Sequence, residues 1–144
     1  MKPAIRQKLT GLGMKLRKAS RRTLLGSVDW KMDVPSLGGV YAIWSKSSGE
    51  PVYVGETCHL SHRFSDLTRT VNHTFRRKMA RQYRMVRSTD AMLSKRLSKD
   101  FKISFLVIDF GRKELEEFLI LNWSKTLINK PQKRLLLSHE YNDL

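Results

Sequence analysis

The chain has 144 residues, with 28 Lys and Arg against 13 Asp and Glu and a net charge of +15, which is one ordinary domain carrying a strong basic excess. Its 40% hydrophobic and 9% aromatic content supplies a core and excludes a wholly disordered basic tail. No apolar run approaches the roughly 18 residues of a membrane helix, and Cys58, the single cysteine, excludes a disulfide framework and a multi-cysteine zinc site and points to a reducing compartment.

Residues 1–36 read as a basic N-terminal helical extension, free of acids before Asp29 and carrying Lys15, Arg17 and Lys18 among its bases. Ile5, Leu9, Leu12, Leu16 and Leu24 are spaced for a helix over 4–24, weakened by Gly11 and Gly13. Pro35 and Gly38-Gly39 mark a boundary. Strands are expected at 40–44 and 51–54, joined by the turn-rich segment 45–50. Helices follow from Thr57 or Cys58 to Leu67, over 72–86 and over 90–98, then a strand at 103–108 and a helix over 113–126. Pro131 ends regular structure, leaving a tail at 132–144. The order is α+β: a small three-stranded antiparallel sheet flanked by helices.

A second basic block runs through 69–99, with Arg69, Arg76, Arg77, Lys78, Arg81, Arg84 and Arg87 against the single acid Asp90. Together with the N-terminal bases it forms a candidate phosphate-tracking surface, because each neutralised phosphate releases counterions. Phe75 and Tyr83, interleaved with these arginines, are candidates for base stacking. The expected partner is DNA, single-stranded or duplex, with RNA possible and no membrane. The expected location is the cytoplasm, associated with the nucleoid, and the oligomeric state is open.

Gly39-Val40-Tyr41 and Tyr53-Val54-Gly55 on the two hairpin strands resemble the paired signature of the GIY-YIG nuclease superfamily. Arg63 stands eight residues after Gly55, Glu116-Glu117 precede Leu119-Ile120, and Asn129 follows Glu117 by twelve residues, all similar to that family's pattern. The resemblance spans 39–129 and implies a domain over 37–131, with 69–99 as a basic helical insertion. It implies an endonuclease with one divalent metal, Mg2+ or Mn2+, in which Tyr41 is the general base and Glu117 the metal ligand. Tyr53, Arg63, Asn129 and, as an auxiliary group, His73 complete the expected catalytic set, with His62 an alternative histidine.

The residue types suit phosphodiester hydrolysis without that resemblance. A carboxylate holds a hard cation through oxygen and leaves positions for water and phosphate. An arginine donates paired hydrogen bonds to phosphate and keeps its proton, while a tyrosine hydroxyl near a cation orients water. Helical phase does not separate Glu116 from Glu117; the distance to Asn129 favours Glu117. Cys58, His59 and His62 are too poorly spaced to hold zinc together. Glu56 stands where many family members carry a base, and would oppose phosphate unless it binds metal or pairs with Arg63. The rival reading is a non-enzymatic nucleic-acid-binding protein on the same scaffold.

Overall fold

The segment Gly39–Ser45 is apolar at consecutive positions rather than alternating ones, which is the pattern of a strand covered on both faces. It is the interior strand β2 of the computed structural model, which describes residues 2–130. β2 pairs antiparallel with β3 (Pro51–Thr57) on one side and with β4 (Phe101–Val107) on the other. A two-residue strand, β1 (Arg22–Thr23), pairs antiparallel with the far edge of β4. The sheet order is β1-β4-β2-β3, so the expected three strands are four. β1 escapes a sequence reading because two basic and polar residues carry no alternation. Pro131 and the tail 132–144 lie outside the described residues.

The two faces of β2 bury different cores. Val40, Ala42 and Trp44 face helices α1 (Pro3–Lys18) and α5 (Arg112–Asn122), with Leu9, Leu16, Leu115, Phe118 and Leu119 packed against them. Tyr41 and Ile43 face α2 (Leu60–Asp66), α3 (Thr74–Gln82) and α4 (Asp90–Asp100), burying Leu60, Phe64, Phe75, Leu93 and Leu97.

The N-terminal helix is therefore part of the core layer. A Cβ on Gly13 would lie 2.9 Å from Leu119 Cδ2, so this glycine lets α1 lie close against α5. Trp44 Nε1 donates to Ser104 Oγ at 2.8 Å, and Ser104 Oγ donates to the Leu16 carbonyl at 3.3 Å, tying β2, β4 and α1 together. The helix stops at Lys18 instead of 24 because Leu24 belongs to the opposite core, beside Tyr41 and Ile43. The chain must pass the sheet edge as β1 to bring it there.

The basic segment 69–99 folds around Arg76, one of the bases assigned to nucleic acid from sequence. Its side chain is fully buried. Nη1 donates to the Leu67 carbonyl and to Ser94 Oγ, both at 2.8 Å, and Nη2 donates to the Asp90 carbonyl at 2.9 Å. Asp90 Oδ1 stands 3.6 Å from Nη2 and also accepts from Thr70 N–H and Oγ1. Arg76 thus joins α2, α3 and α4 and is withdrawn from any phosphate. Phe75 is likewise buried, packed on Tyr53 and Phe101, and the Tyr83 hydroxyl donates to Asp100. Phe75 thus offers no face for stacking, while Tyr83 is half-buried and carries the Arg96 guanidinium over its ring, 4.4 Å from the centroid. Replacing Arg76 by Ala orphans acceptors at the end of α2 and on α4 and is expected to cost about 3 kcal/mol in urea unfolding. A loss under about 1 kcal/mol, with DNA binding strongly reduced, would return Arg76 to the binding surface.

Candidate active site

The hairpin register builds the site. Tyr41 pairs across the strands with Gly55, and Ile43 with Tyr53, so the two tyrosines are diagonal neighbours on one face. A Cβ on Gly55 would collide with Tyr41 Cζ and Oη. Gly55 therefore makes room for the cross-strand phenol. The cross-strand register places the ring opposite in that space. The Tyr41 and Tyr53 rings lie 6.3 Å apart, 28° from parallel.

His73 closes the back of this face. Its side chain caps α3, Nδ1 accepting from the Phe75 N–H at 3.0 Å. A neutral imidazole with Nδ1 as acceptor carries its proton on Nε2, which lies 2.8 Å from Tyr41 Oη. Nε2–H therefore donates to Tyr41. Burial, reinforced by the charges of Arg63, Arg77 and Arg76, lowers the His73 pKa to about 3 and keeps the ring neutral. His73 is fully buried, so it touches Tyr41 and not the solvent side, where the sequence reading expected a phosphate donor or base.

Arg63, on α2, supplies the positive charge. Nη1 donates to Asp66 Oδ2 and to the Asn72 carbonyl, each at 3.2 Å, so the ordinary i, i+3 ion pair is present as well. Burial works against its charge, but Tyr41, Asp66 and Tyr53 outweigh burial and raise its pKa. Burial and the neighbouring Tyr53 push the Tyr41 hydroxyl well above the usual phenol range, against the pull of Arg63. Burial likewise raises Tyr53, against the pull of Arg63.

α5 approaches from the other face and reaches the exposed edge of β3. Glu116 Oε2 accepts the Glu56 N–H at 2.7 Å. Desolvation raises the Glu116 pKa to about 7; the Glu56 N–H and Arg63 lower it, and the charges of Glu56 and Glu117 raise it. Its charge also acts on both tyrosines. Glu117, the neighbouring candidate, is half-buried on the same helix. Glu56 pairs with Arg112 rather than with Arg63: Arg112 Nε donates to its Oε2 at 2.9 Å. Arg112 escaped the sequence reading, although its i, i+4 spacing from Glu116 puts both on one face of α5.

Asn129 clamps the same edge, its Nδ2 donating to the Val54 carbonyl at 2.6 Å and its Oδ1 accepting the Val54 N–H at 3.4 Å. Of the expected nucleic-acid contacts, Arg69, Arg77, Arg81, Arg84, Arg87, Lys15 and Lys18 are exposed. Arg17 instead stacks on Trp44 and Trp123, and Lys78 Nζ donates to the Ile128 carbonyl. His59, read beside Cys58 and His62, caps α2 by accepting the His62 N–H at 3.2 Å.

The His73 environment makes the fold sensitive to acid. The unfolded chain binds a proton near the ordinary value of 6.5 and the native ring only near 3. Stability is thus intact above 6.5 and falls as pH drops toward 3, by at most about 1.4 kcal/mol per pH unit. Glu116 acts in the opposite sense between about 7 and 4.5, so the informative quantity is a difference between variants. In His73→Asn, which keeps a capping oxygen, the stability deficit relative to wild type is expected to shrink as urea unfolding moves from pH 7.5 to 4. A deficit constant with pH would contradict a neutral His73.

No family model matches the chain, and no curated protein matches it. Among solved structures it is similar to the GIY-YIG N-terminal endonuclease domain of UvrC from Thermotoga maritima bound to its catalytic divalent cation, magnesium, at 20% identity and a TM-score of 0.40, over 86% of this chain and 94% of that one. An asparagine-to-alanine mutant of the same domain, also cation-bound, is similar at 20% identity and a TM-score of 0.41, over 86% of this chain and 93% of that one. These structural neighbours are GIY-YIG endonuclease domains, the superfamily that the hairpin motifs of this sequence resemble.

Proposed function

We propose that this chain is a metal-dependent endonuclease that hydrolyses DNA phosphodiester bonds at a GIY-YIG-type site, acting on DNA in the cytoplasm. The observation that carries the reading is the pair Tyr41 and Tyr53, 6.3 Å apart on one hairpin face, in the field of Arg63 from α2 and of Glu116, which α5 holds on the β3 edge. The +15 charge supports a polyanionic substrate.

The residues present fit a hard divalent cation. Glu116 is desolvated and lies in the field of Glu56 and Glu117, a surplus of negative charge that a cation relieves. Among the described residues no group of three or more His, Cys, Asp or Glu is placed to hold a metal. An ion here takes one carboxylate and leaves its other positions to water and phosphate, the habit of Mg2+ rather than of zinc. Glu116, rather than Glu117, is the ligand in this reading, because its charge acts on Arg63 and both tyrosines. Mg2+ or Mn2+ bound there supplies Lewis-acid stabilisation of charge on the phosphate.

The protein's own groups do the rest. Arg63, braced through Nη1 by Asp66 and Asn72, presents its guanidinium to the phosphate. Tyr41 accepts His73 Nε2–H, which fixes the orientation of its hydroxyl. Its burial disfavours the phenolate that a general base requires, and the Arg63 charge favours it. His73 and Asn129 act as positioning residues for Tyr41 and for β3.

A binding-only protein is the second reading, favoured by the burial of the Tyr41 hydroxyl. Incubation with single-stranded and duplex DNA and RNA, in Mg2+, Mn2+ or EDTA, separates the two. Metal-dependent DNA products are expected, reduced at least about 100-fold in Arg63→Ala and Glu116→Gln while DNA binding persists. Glu117→Gln is expected to retain most activity. Binding without metal-dependent products from any substrate would leave the binding-only reading.

A further inference from the structure

Beside this site, the outer face of α3 carries a groove of about 410 Å³ walled by Val71, Ala80 and Val86, with Arg77 and Arg81 along it. Val71 and Val86 are 79% and 68% exposed, an open pair of apolar side chains within a strongly basic segment. Arg77 is pinned: Nη1 donates to the Val71 carbonyl at 2.9 Å and Nη2 to Thr74 Oγ1 at 3.0 Å. A guanidinium held in this way has already lost the side-chain freedom that binding would otherwise remove. The Arg77 backbone N–H donates to the His73 carbonyl at 3.2 Å, and the His73 ring bonds Tyr41, so the first turn of α3 joins the groove to the tyrosine face.

We propose that this groove is a nucleotide subsite for single-stranded DNA, taking one unstacked base between Val71 and Val86 while Arg77 and Arg81 hold the adjoining phosphates. The volume falls in the range of ordinary ligand pockets. The combination of apolar walls and guanidinium groups matches a flat base joined to an anionic backbone. Phe75 is buried and Tyr83 is covered by Arg96 away from this groove, so the valines are the apolar contact that this face offers. The proposal rests on the reading of the adjoining site as one that handles DNA, but base capture does not require cleavage.

The test is fluorescence anisotropy of the full chain in EDTA at fixed salt, with a labelled 12-mer of oligo(dT) and an abasic oligonucleotide of equal length. Wild type is expected to bind the abasic strand about ten-fold more weakly. Val71→Ser/Val86→Ser, confirmed as folded by its thermal melt, is expected to lose about ten-fold on oligo(dT) and less than about two-fold on the abasic strand. Arg77→Gln/Arg81→Gln is expected to weaken both strands alike and to flatten the salt dependence by about one to two ions. Equal wild-type affinity for the two strands, or unchanged oligo(dT) binding by the valine double variant, overturns the subsite. A failure of the nuclease reading shows differently, as absent cleavage with this binding pattern intact.

Discussion

The pairing of Tyr41 with Gly55 is the constraint on which the remaining site geometry depends. Strand register is an all-or-none property: a slip of one residue would send every side chain of β3 to the opposite face. In the native register the β3 residue opposite Tyr41 has no side chain, and the phenol fills the space left. From there it meets Tyr53 on the same strand face, Phe64 of α2 edge-on, and His73 at the head of α3. The charge of Arg63 then acts on a hydroxyl whose position is decided by backbone pairing and core packing together. A site assembled this way needs little adjustment of side-chain freedom at the moment of use.

The same groups close the fold's polar accounts. β3 is an edge strand, and its outward backbone groups would be costly if left without partners. Val52 C=O receives the Ile128 N–H, Val54 receives the Asn129 amide, and Glu56 N–H is taken by Glu116. Asn129 and Glu116 are thus edge caps as well as members of the proposed site. Glu116 in particular holds a backbone donor, which lowers its pKa, but desolvation and the neighbouring charges of Glu56 and Glu117 outweigh that bond and raise it to about 7. Stability and the proposed chemistry meet at one carboxylate.

Much of this was legible in the sequence where a local pattern carries it. The hairpin, the strand before α5, the helix bearing Arg63 and the tyrosine–glycine triplets all declare themselves through apolar runs, turn residues and spacing. The parts that were not legible are those that tertiary packing decides. β1 is two residues long and is a strand only because β4 has a free edge beside it. Arg76 looks like its basic neighbours in sequence, but it lies on the inner face of a short helix, with acceptors supplied by the end of α2 and by α4. Glu116 and Glu117 differ by one helical step, and only the position of the β3 edge distinguishes the carboxylate that reaches Glu56 N–H. The N-terminal helix, read as an extension, is held by Gly13 and Leu16 against α5 and the sheet, a contact that nothing local encodes.

The central claim is that this face binds a divalent cation through Glu116 beside Tyr41 and Arg63. Crystals grown with Mn2+ and measured above the manganese absorption edge test it most directly, since anomalous scattering locates the ion without reference to activity. The account predicts one anomalous peak within coordinating distance of a Glu116 carboxylate oxygen, on the side facing Arg63 and the tyrosines. A peak on Glu117, or a fully ordered site that takes up no Mn2+ at millimolar concentration, would contradict it.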